Sequence, residues 1–215
     1  LVGETRPGAL DLTAIHATHG GIWLADGEGR VRAVGRGEAL SVCAGTPTIM
    51  LNAPLVAARL GLPEISGLDL LELFAFVHPA RFAVPTPPGL ARALGLEAPG
   101  DDAAAAAFYQ QAAAALLDRL GADDWPEREG AWTAVQSLGR LRWPWAGLAA
   151  PRIAKPERGE RWLFSRLPQW EEAAARPEAR PLRLPDGATQ DRLADLVGEG
   201  AEPREGQRAY AAAAS

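Results

Sequence analysis

One cysteine, one methionine, two tyrosines and three histidines among 215 residues leave few groups for redox, thiol or imidazole chemistry. Cys43 alone forms no internal disulfide and no cysteine-based zinc or iron–sulfur site, and a reducing cytoplasm is the compartment expected for such a chain. No G-x-x-x-x-G-K-[ST] stretch occurs, so these residues hold no phosphate-cradling loop of that type. No apolar run reaches the ~20 residues that cross a bilayer, and Leu1 to Leu10 has neither the basic nor the apolar part of a secretory signal. No membrane partner is expected. An excess of basic residues is missing too: 22 Lys and Arg against 27 Asp and Glu give a net charge of −5. A global electrostatic footprint for nucleic acid is thereby excluded, and any DNA contact must be local.

What is present is enough apolar residue, 47% of the chain, for one or two packed cores. Residues 1–19 read as a loose segment. Ile22 to Ala25 and Val31 to Val34 flank Asp26-Gly27-Glu28-Gly29, which is strong hairpin chemistry. A short helix is expected over Glu38 to Cys43. Pro47 to Leu51, with Thr48 and Ile49, suits a buried strand of an α/β sheet. Asn52 and Pro54 then fit the cap and an early position of a helix over Leu55 to Leu60, ended by Gly61. Leu68 to Val77 predicts a buried helix stopped by Pro79. A Pro-rich link leads to a helix over Leu90 to Leu94, ending at Gly95. The alanine content, acidic first turn and final Gly121 make Asp101 to Leu120 the clearest helix of the chain.

From residue 122 the composition turns Trp-rich. A helix is expected over Glu127 to Leu141, broken by Pro144, and a shorter one in WLFSRLPQWEEAAA. The organisation read from these elements is an α/β domain over 20–121, a Trp-rich helical extension over 122–175 and a linker over 176–185. A segment over 186–215 then opens a further domain with a helical pattern from Asp186 to Val197.

Candidate sites are few. His16 and His19 have the spacing of ligands on one helical face but lack a third ligand. His78 precedes Pro79 at a helix end, where its positive form would suit the dipole. No serine or cysteine has a partner arrangement for nucleophilic catalysis. GRLRWPWAGL sets Arg140 and Arg142 beside Trp143 and Trp145, the mixture of cations and aromatic faces used by single-strand-binding surfaces. Tryptophans in such a stretch are more often core packing, given the area they bury.

The carboxylates carry more. Asp26-Gly27-Glu28 in a hairpin, LNAPLVAARLGL after a strand, DLLELF, PTPPGLARALGLE and a helix opening Asp101-Asp102-Ala103 follow in an order that resembles the DnaQ-like 3′ to 5′ exonucleases of the ribonuclease H-like fold. The resemblance implies four carboxylates around two metal ions, which activate a water and stabilise the leaving oxygen, with a histidine as general base. Asp26 and Glu28 have the Asp-x-Glu spacing of the first motif, followed by Gly29-Arg30 where the family has Thr-Thr-Gly. The second motif, His-Asn-Ala-x-Phe-Asp, falls on Leu51 to Val56, so its histidine and its aspartate are replaced by Leu51 and Val56. At the third, Asp102 is retained and the histidine's place falls at Glu97. Asp26, Glu28, Val56 and Asp102 are thus expected as vestigial exonuclease positions gathered at one end of the sheet, with no catalytic residue and no metal. Taken alone, Asp26 and Glu28 are a solvated turn, and Asp101 and Asp102 are acids that complement a helix dipole.

Near the end, Pro203-Arg204-Glu205-Gly206-Gln207-Arg208 and an alanine-rich helix resemble the segment preceding the phosphate-binding loop in DinG-type, XPD-related superfamily 2 DNA helicases. There an arginine and a glutamine three residues on lie beside the bound adenine, whose edge an amide can read as donor and acceptor. The resemblance implies that role for Gln207, with Arg204. By itself the stretch is a helix start. Together with GGIWLADGEGRVRAVG, the long stretch from Leu51 to Glu97 and WPEREGAWTAVQSLGRLRWPW, it makes most of the chain similar to the amino-terminal region of bacterial DinG-family helicases. Some of these carry an active or degenerate exonuclease domain there. The chain is accordingly read as an amino-terminal piece of an ATP-dependent 5′ to 3′ DNA helicase, cut before the phosphate-binding loop and used for docking or DNA positioning. ATP and Mg²⁺, with room for an iron–sulfur cluster, belong to the full chain, whose motor and DNA are the expected partners. The rivals are a stand-alone exonuclease binding Mg²⁺ or Mn²⁺ through Asp26, Glu28, Asp102 and one further acid, and a non-enzymatic adaptor holding a partner on an exposed apolar or tryptophan patch.

Overall fold

The computed structural model describes residues 10–157, 185, 187–197 and 204–213. Residues 10–157 belong to one compact unit and residues 187–213 to another.

In the first unit, β1 (Ala14–Ala17), β2 (Ile22–Ala25), β3 (Val31–Ala33), β4 (Ile49–Met50) and β5 (Leu68–Asp69) form one mixed sheet in the order β3-β2-β1-β4-β5. β1 runs antiparallel to β2, with Ala14 opposite Ala25 and Ala17 opposite Ile22. β2 and β3 are antiparallel, whereas β4 is parallel to both β1 and β5. The hairpin forms as its sequence predicts. The Asp26 carboxylate accepts from the Glu28 and Arg30 amides, each at 3.0 Å, and Gly29 takes the left-handed φ of 78° that closes the turn.

The central strand comes as a correction, because β1 lies inside the segment expected to be loose. Its sequence, Ala-Ile-His-Ala, holds one β-branched residue and no local strand signal. Helices covering both faces, and small alanines that let them approach, make it a strand through tertiary context. Ile15 and Ala17 face a core closed by α1 (Arg36–Gly45) and α2 (Ala53–Leu60) with Leu24, Met50, Val56 and Leu60. Ala14 faces the larger core with α3 (Leu70–Val77), α4 (Pro87–Leu94) and α5 (Asp102–Leu120), and α5 crosses β1 to β4.

Local chemistry sets the helix ends. Asn52 sits at a left-handed φ of 65° and accepts from Leu55 at 3.2 Å, while Thr86 caps the Pro87-Pro88 start of α4 and Asp101 takes the Ala104 amide at 2.7 Å. α3 starts at Leu70, later than the apolar run suggests, because Asp69 occupies its cap and accepts from Leu71 at 2.9 Å. The helix expected from Glu127 starts at Ala131: turns fill the interval, and Gly130 takes a φ of 85° just before α6 (Ala131–Arg140).

α6, α7 (Ala146–Ala149) and a 3-10 turn over Ala150–Arg152 are the last elements among the described residues of this unit. They share its core, so no boundary falls at residue 121. Trp125, Trp145 and Ile153 are buried with α5, and the Trp125 indole donates to the Val77 carbonyl at 2.9 Å. The short helix and linker expected between residues 158 and 184 lie outside the described residues. In the second unit, α8 (Ala188–Val197) meets α9 (Glu205–Ala213), where the Thr189 hydroxyl donates to the Ala211 carbonyl at 2.6 Å. Among the described residues no helix is long and apolar enough to cross a membrane.

Candidate functional site

β1 ends in a polar cluster under the first turns of α5. Strand alternation turns His16, and Thr18 just beyond the strand, to the face that α5 covers. The Thr18 hydroxyl donates to Asp102 Oδ2 at 3.1 Å, and His16 Nε2 lies 3.5 Å from Asp102 Oδ1. Two turns further along α5, the Tyr109 hydroxyl meets His16 Nδ1 at 2.7 Å. Trp23, opposite His16 in the β1–β2 register, stacks on the imidazole with centroids 6.1 Å apart.

The His16 side chain is 11% exposed. Burial lowers its pKa below the ordinary 6.5, against the opposing pull of Asp102. Burial also raises the pKa of Tyr109, which keeps the phenol protonated and able to donate. With Nε2–H toward Asp102, the neutral imidazole accepts from Tyr109 at Nδ1, so both ring nitrogens have a partner. Such a cluster holds a proton and ties β1 to α5. Its set of one carboxylate, two hydroxyls and one imidazole does not fit a pair of divalent ions, and among the described residues no three His, Cys, Asp or Glu side chains gather into a group that could hold a metal ion.

The other expected positions fall elsewhere. Gln110 donates to the carbonyls of Leu12 at 2.7 Å and Asp26 at 2.6 Å. Gln110 is eight residues beyond Asp102, roughly 12 Å along the helix, so Asp26 lies at the opposite end of β1. Its carboxylate serves the turn and the Arg30 guanidinium at 2.8 Å, and these hydrogen bonds hold its pKa down. Glu28 is exposed and pairs with the same arginine at 3.0 Å. Val56 is buried beneath the other face of the sheet with Ile15 and Ala17. The expected gathering of Asp26, Val56 and Asp102 therefore does not occur, because the antiparallel hairpin sends its turn away from the C-terminal end of β1. Glu97 is exposed in the loop before α5.

Both histidine readings also change. His16 is in a strand and His19 in the following turn, so they share no helical face; the His19 ring lies against Arg59 Nη1, 2.5 Å from Nε2. His78 does cap the end of α3, yet burial together with Arg81 and Arg119 lowers its pKa, which disfavours the positive form. The tryptophans pack: Trp145 is buried, and the half-buried Trp143 donates to Glu72 Oε2 at 3.0 Å with its ring 5.0 Å from Phe76. Arg204 and Gln207 are exposed at the start of α9, where the Gln207 amide donates to the Arg204 carbonyl at 3.1 Å.

Sequence reasoning missed Asp69. This buried carboxylate accepts from Asn52 at 3.0 Å, Ala53 at 2.7 Å and Leu71 at 2.9 Å, and so serves the N-termini of both α2 and α3. An aspartate placed directly before the apolar run LLELF was the available signal. No protein-family model, curated protein or solved structure matches the chain.

Proposed function

We propose that residues 10–157 are a ribonuclease H-like, DnaQ-type exonuclease module without nuclease chemistry, serving as the amino-terminal accessory region of a DinG-family ATP-dependent DNA helicase. The observation that carries this reading is the meeting of Asp102, at the start of α5, with His16 and Thr18 at the end of the central strand. His16-Ala17-Thr18 has the i, i+2 spacing that the first exonuclease motif requires, on the strand face that meets the retained third-motif aspartate. Imidazole and hydroxyl stand where the reaction needs two carboxylates, so Asp102 is tied by hydrogen bonds instead of by metal ions. The mixed sheet, with an antiparallel second strand and β1 at its centre, supports the same fold family. The first motif is thereby moved from Asp26 and Glu28 to His16 and Thr18.

The helicase half of the reading rests on the Arg204 to Gln207 stretch and on the long similarity around it. In the full protein ATP and Mg²⁺ supply the driving reaction, while this region docks or positions DNA. The test has two parts. Incubation with single-stranded and mismatched duplex DNA in Mg²⁺ and in Mn²⁺ should leave the substrates intact; degradation that disappears in Asp102→Ala overturns the loss of chemistry. Reading the gene beyond Ser215 should reveal a phosphate-binding loop, and a gene without one overturns the helicase assignment.

A further inference from the structure

α6 ends in a closed turn whose geometry ordinarily calls for glycine. The Arg142 amide donates to the Gly139 carbonyl at 3.0 Å and the Trp143 amide to the Leu138 carbonyl at 2.9 Å, the paired bonds of a Schellman motif. Its left-handed position is held by Arg142, at a φ of 64°. A side chain there strains the backbone, and strain of this kind persists where the residue serves a purpose or its surroundings impose it. The surroundings are rigid here: Trp143 is fixed between Phe76 and the Glu72 carboxylate directly after the turn.

The turn projects an unusual set of groups. Leu141 is 78% exposed, and Arg140 and Arg142 flank it in solvent. Elsewhere in this unit Arg30, Arg32, Arg119, Arg128 and Arg152 are ion-paired. Among the described residues no acid pairs with Arg140 or Arg142. Arg92 has no acid partner either, but it sits within the regular helix α4 and not at a left-handed position. The Glu72 carboxylate beside Trp143 is committed to the indole.

We infer that the Arg140-Leu141-Arg142 turn contacts single-stranded DNA, with the two guanidinium groups on backbone phosphates and Leu141 against a sugar or base. Guanidinium forks match phosphate oxygens, and unpaired arginines carry no competing internal bond that must first be broken. The choice of DNA over an acidic protein segment rests on the accessory-region reading above. The chain's net charge of −5 confines such a contact to this local patch.

The test measures two properties that should move in opposite directions. Binding of a fluorescently labelled oligo-dT by the 215-residue chain is followed by anisotropy over a salt series, alongside thermal unfolding. Arg142→Gly should raise the melting temperature by about 2–4 °C, because the strain is relieved. The same variant should bind several-fold more weakly, with the slope of log affinity against log salt shallower by about 0.7 for the lost phosphate contact. Arg140→Ala should flatten the slope similarly without the gain in stability, and Arg142→Lys should retain most of the binding. Absence of oligo-dT binding at low salt, or unchanged affinity in both Arg142→Gly and Arg140→Ala, overturns the inference. Displacement of the DNA by poly-glutamate at equal charge overturns it as well, since the turn would then be a surface for acidic peptides. These outcomes are separate from the helicase assignment: a gene with a motor and a chain that ignores DNA would keep the latter and remove this one.

Discussion

The indole N–H of Trp145 donates to the backbone carbonyl of Asp69 at 2.7 Å, joining the segment after α6 to the last strand of the sheet. Trp145 is fully buried. A single bond thus reaches from the Trp-rich stretch to the residue whose carboxylate organises two helix starts.

Trp145→Phe keeps most of the ring volume but leaves the Asp69 carbonyl without its donor, a loss of about 1–3 kcal/mol. Trp145→Ala adds a cavity and should cost about 3–5 kcal/mol. Urea unfolding followed by circular dichroism should show one transition at lower denaturant in each variant. Two separate transitions in Trp145→Ala would mean that residues 122–153 form a body of their own.

Asp69 itself should be among the most sensitive positions. Asp69→Ala strips the acceptor from the amides of Asn52, Ala53 and Leu71, at about 1–3 kcal/mol for each amide that finds no substitute. Asp69→Asn keeps one acceptor oxygen and should cost less. Native-state hydrogen exchange locates the effect: these three amides should lose protection ahead of the α5 core. Uniform acceleration across the unit would show that the carboxylate has no local role.

The parts of this fold that are legible in the sequence are those decided within a few residues. Asn52 with Pro54, Asp101, Gly61 and Gly95 mark helix ends through hydrogen bonds that close locally, and Asp26 to Gly29 marks the hairpin in the same way. The α4 start at Thr86-Pro87 is an exception: the prolines read as a link, so the helix is expected only from Leu90. β1 is illegible because Ala-Ile-His-Ala becomes a strand only when α5 and α2 cover it. The polar cluster is illegible for a related reason. Thr18 meets Asp102, and His16 meets Tyr109, across most of the unit's sequence, while the visible Asp-x-Glu pattern sits in a turn at the far end of the strand. Spacing along the chain reports side-chain type, and only strand alternation and strand order decide which face and which end those side chains occupy.

Gln207 is exposed on α9, one turn after Arg204. In the chain extended through a motor domain, Gln207→Ala should raise the KM for ATP roughly two- to tenfold, as loss of one hydrogen bond of about 0.5–1.5 kcal/mol requires. Folding should be unaffected. The 215-residue chain alone should show no measurable ATP affinity, because the backbone amides and lysine that hold phosphates are not among its motifs. Equal use of ATP and GTP by the wild type, or a preference untouched by Gln207→Ala, would remove the adenine-reading role.

The His16 cluster makes stability depend on pH with a definite sign. Burial lowers the His16 pKa below 6.5, and Asp102 only partly offsets it. The folded chain therefore prefers the neutral imidazole, while the unfolded chain takes up a proton near the ordinary value. Stability from this group is complete above pH 6.5 and is lost as the pH falls through the depressed folded pKa. His78 acts in the same direction, through burial and the nearby Arg81 and Arg119. Urea-derived stability should accordingly decline between about pH 7 and pH 5, and His16→Gln and His78→Gln should each flatten part of that decline. Asp102→Asn separates the cluster from mere burial: without the carboxylate, the His16 midpoint in an NMR titration should move still lower. A midpoint above 6.5 in the wild type would show that burial does not govern His16, and one indifferent to Asp102→Asn would show that Asp102 and His16 do not share the proton that joins β1 to α5.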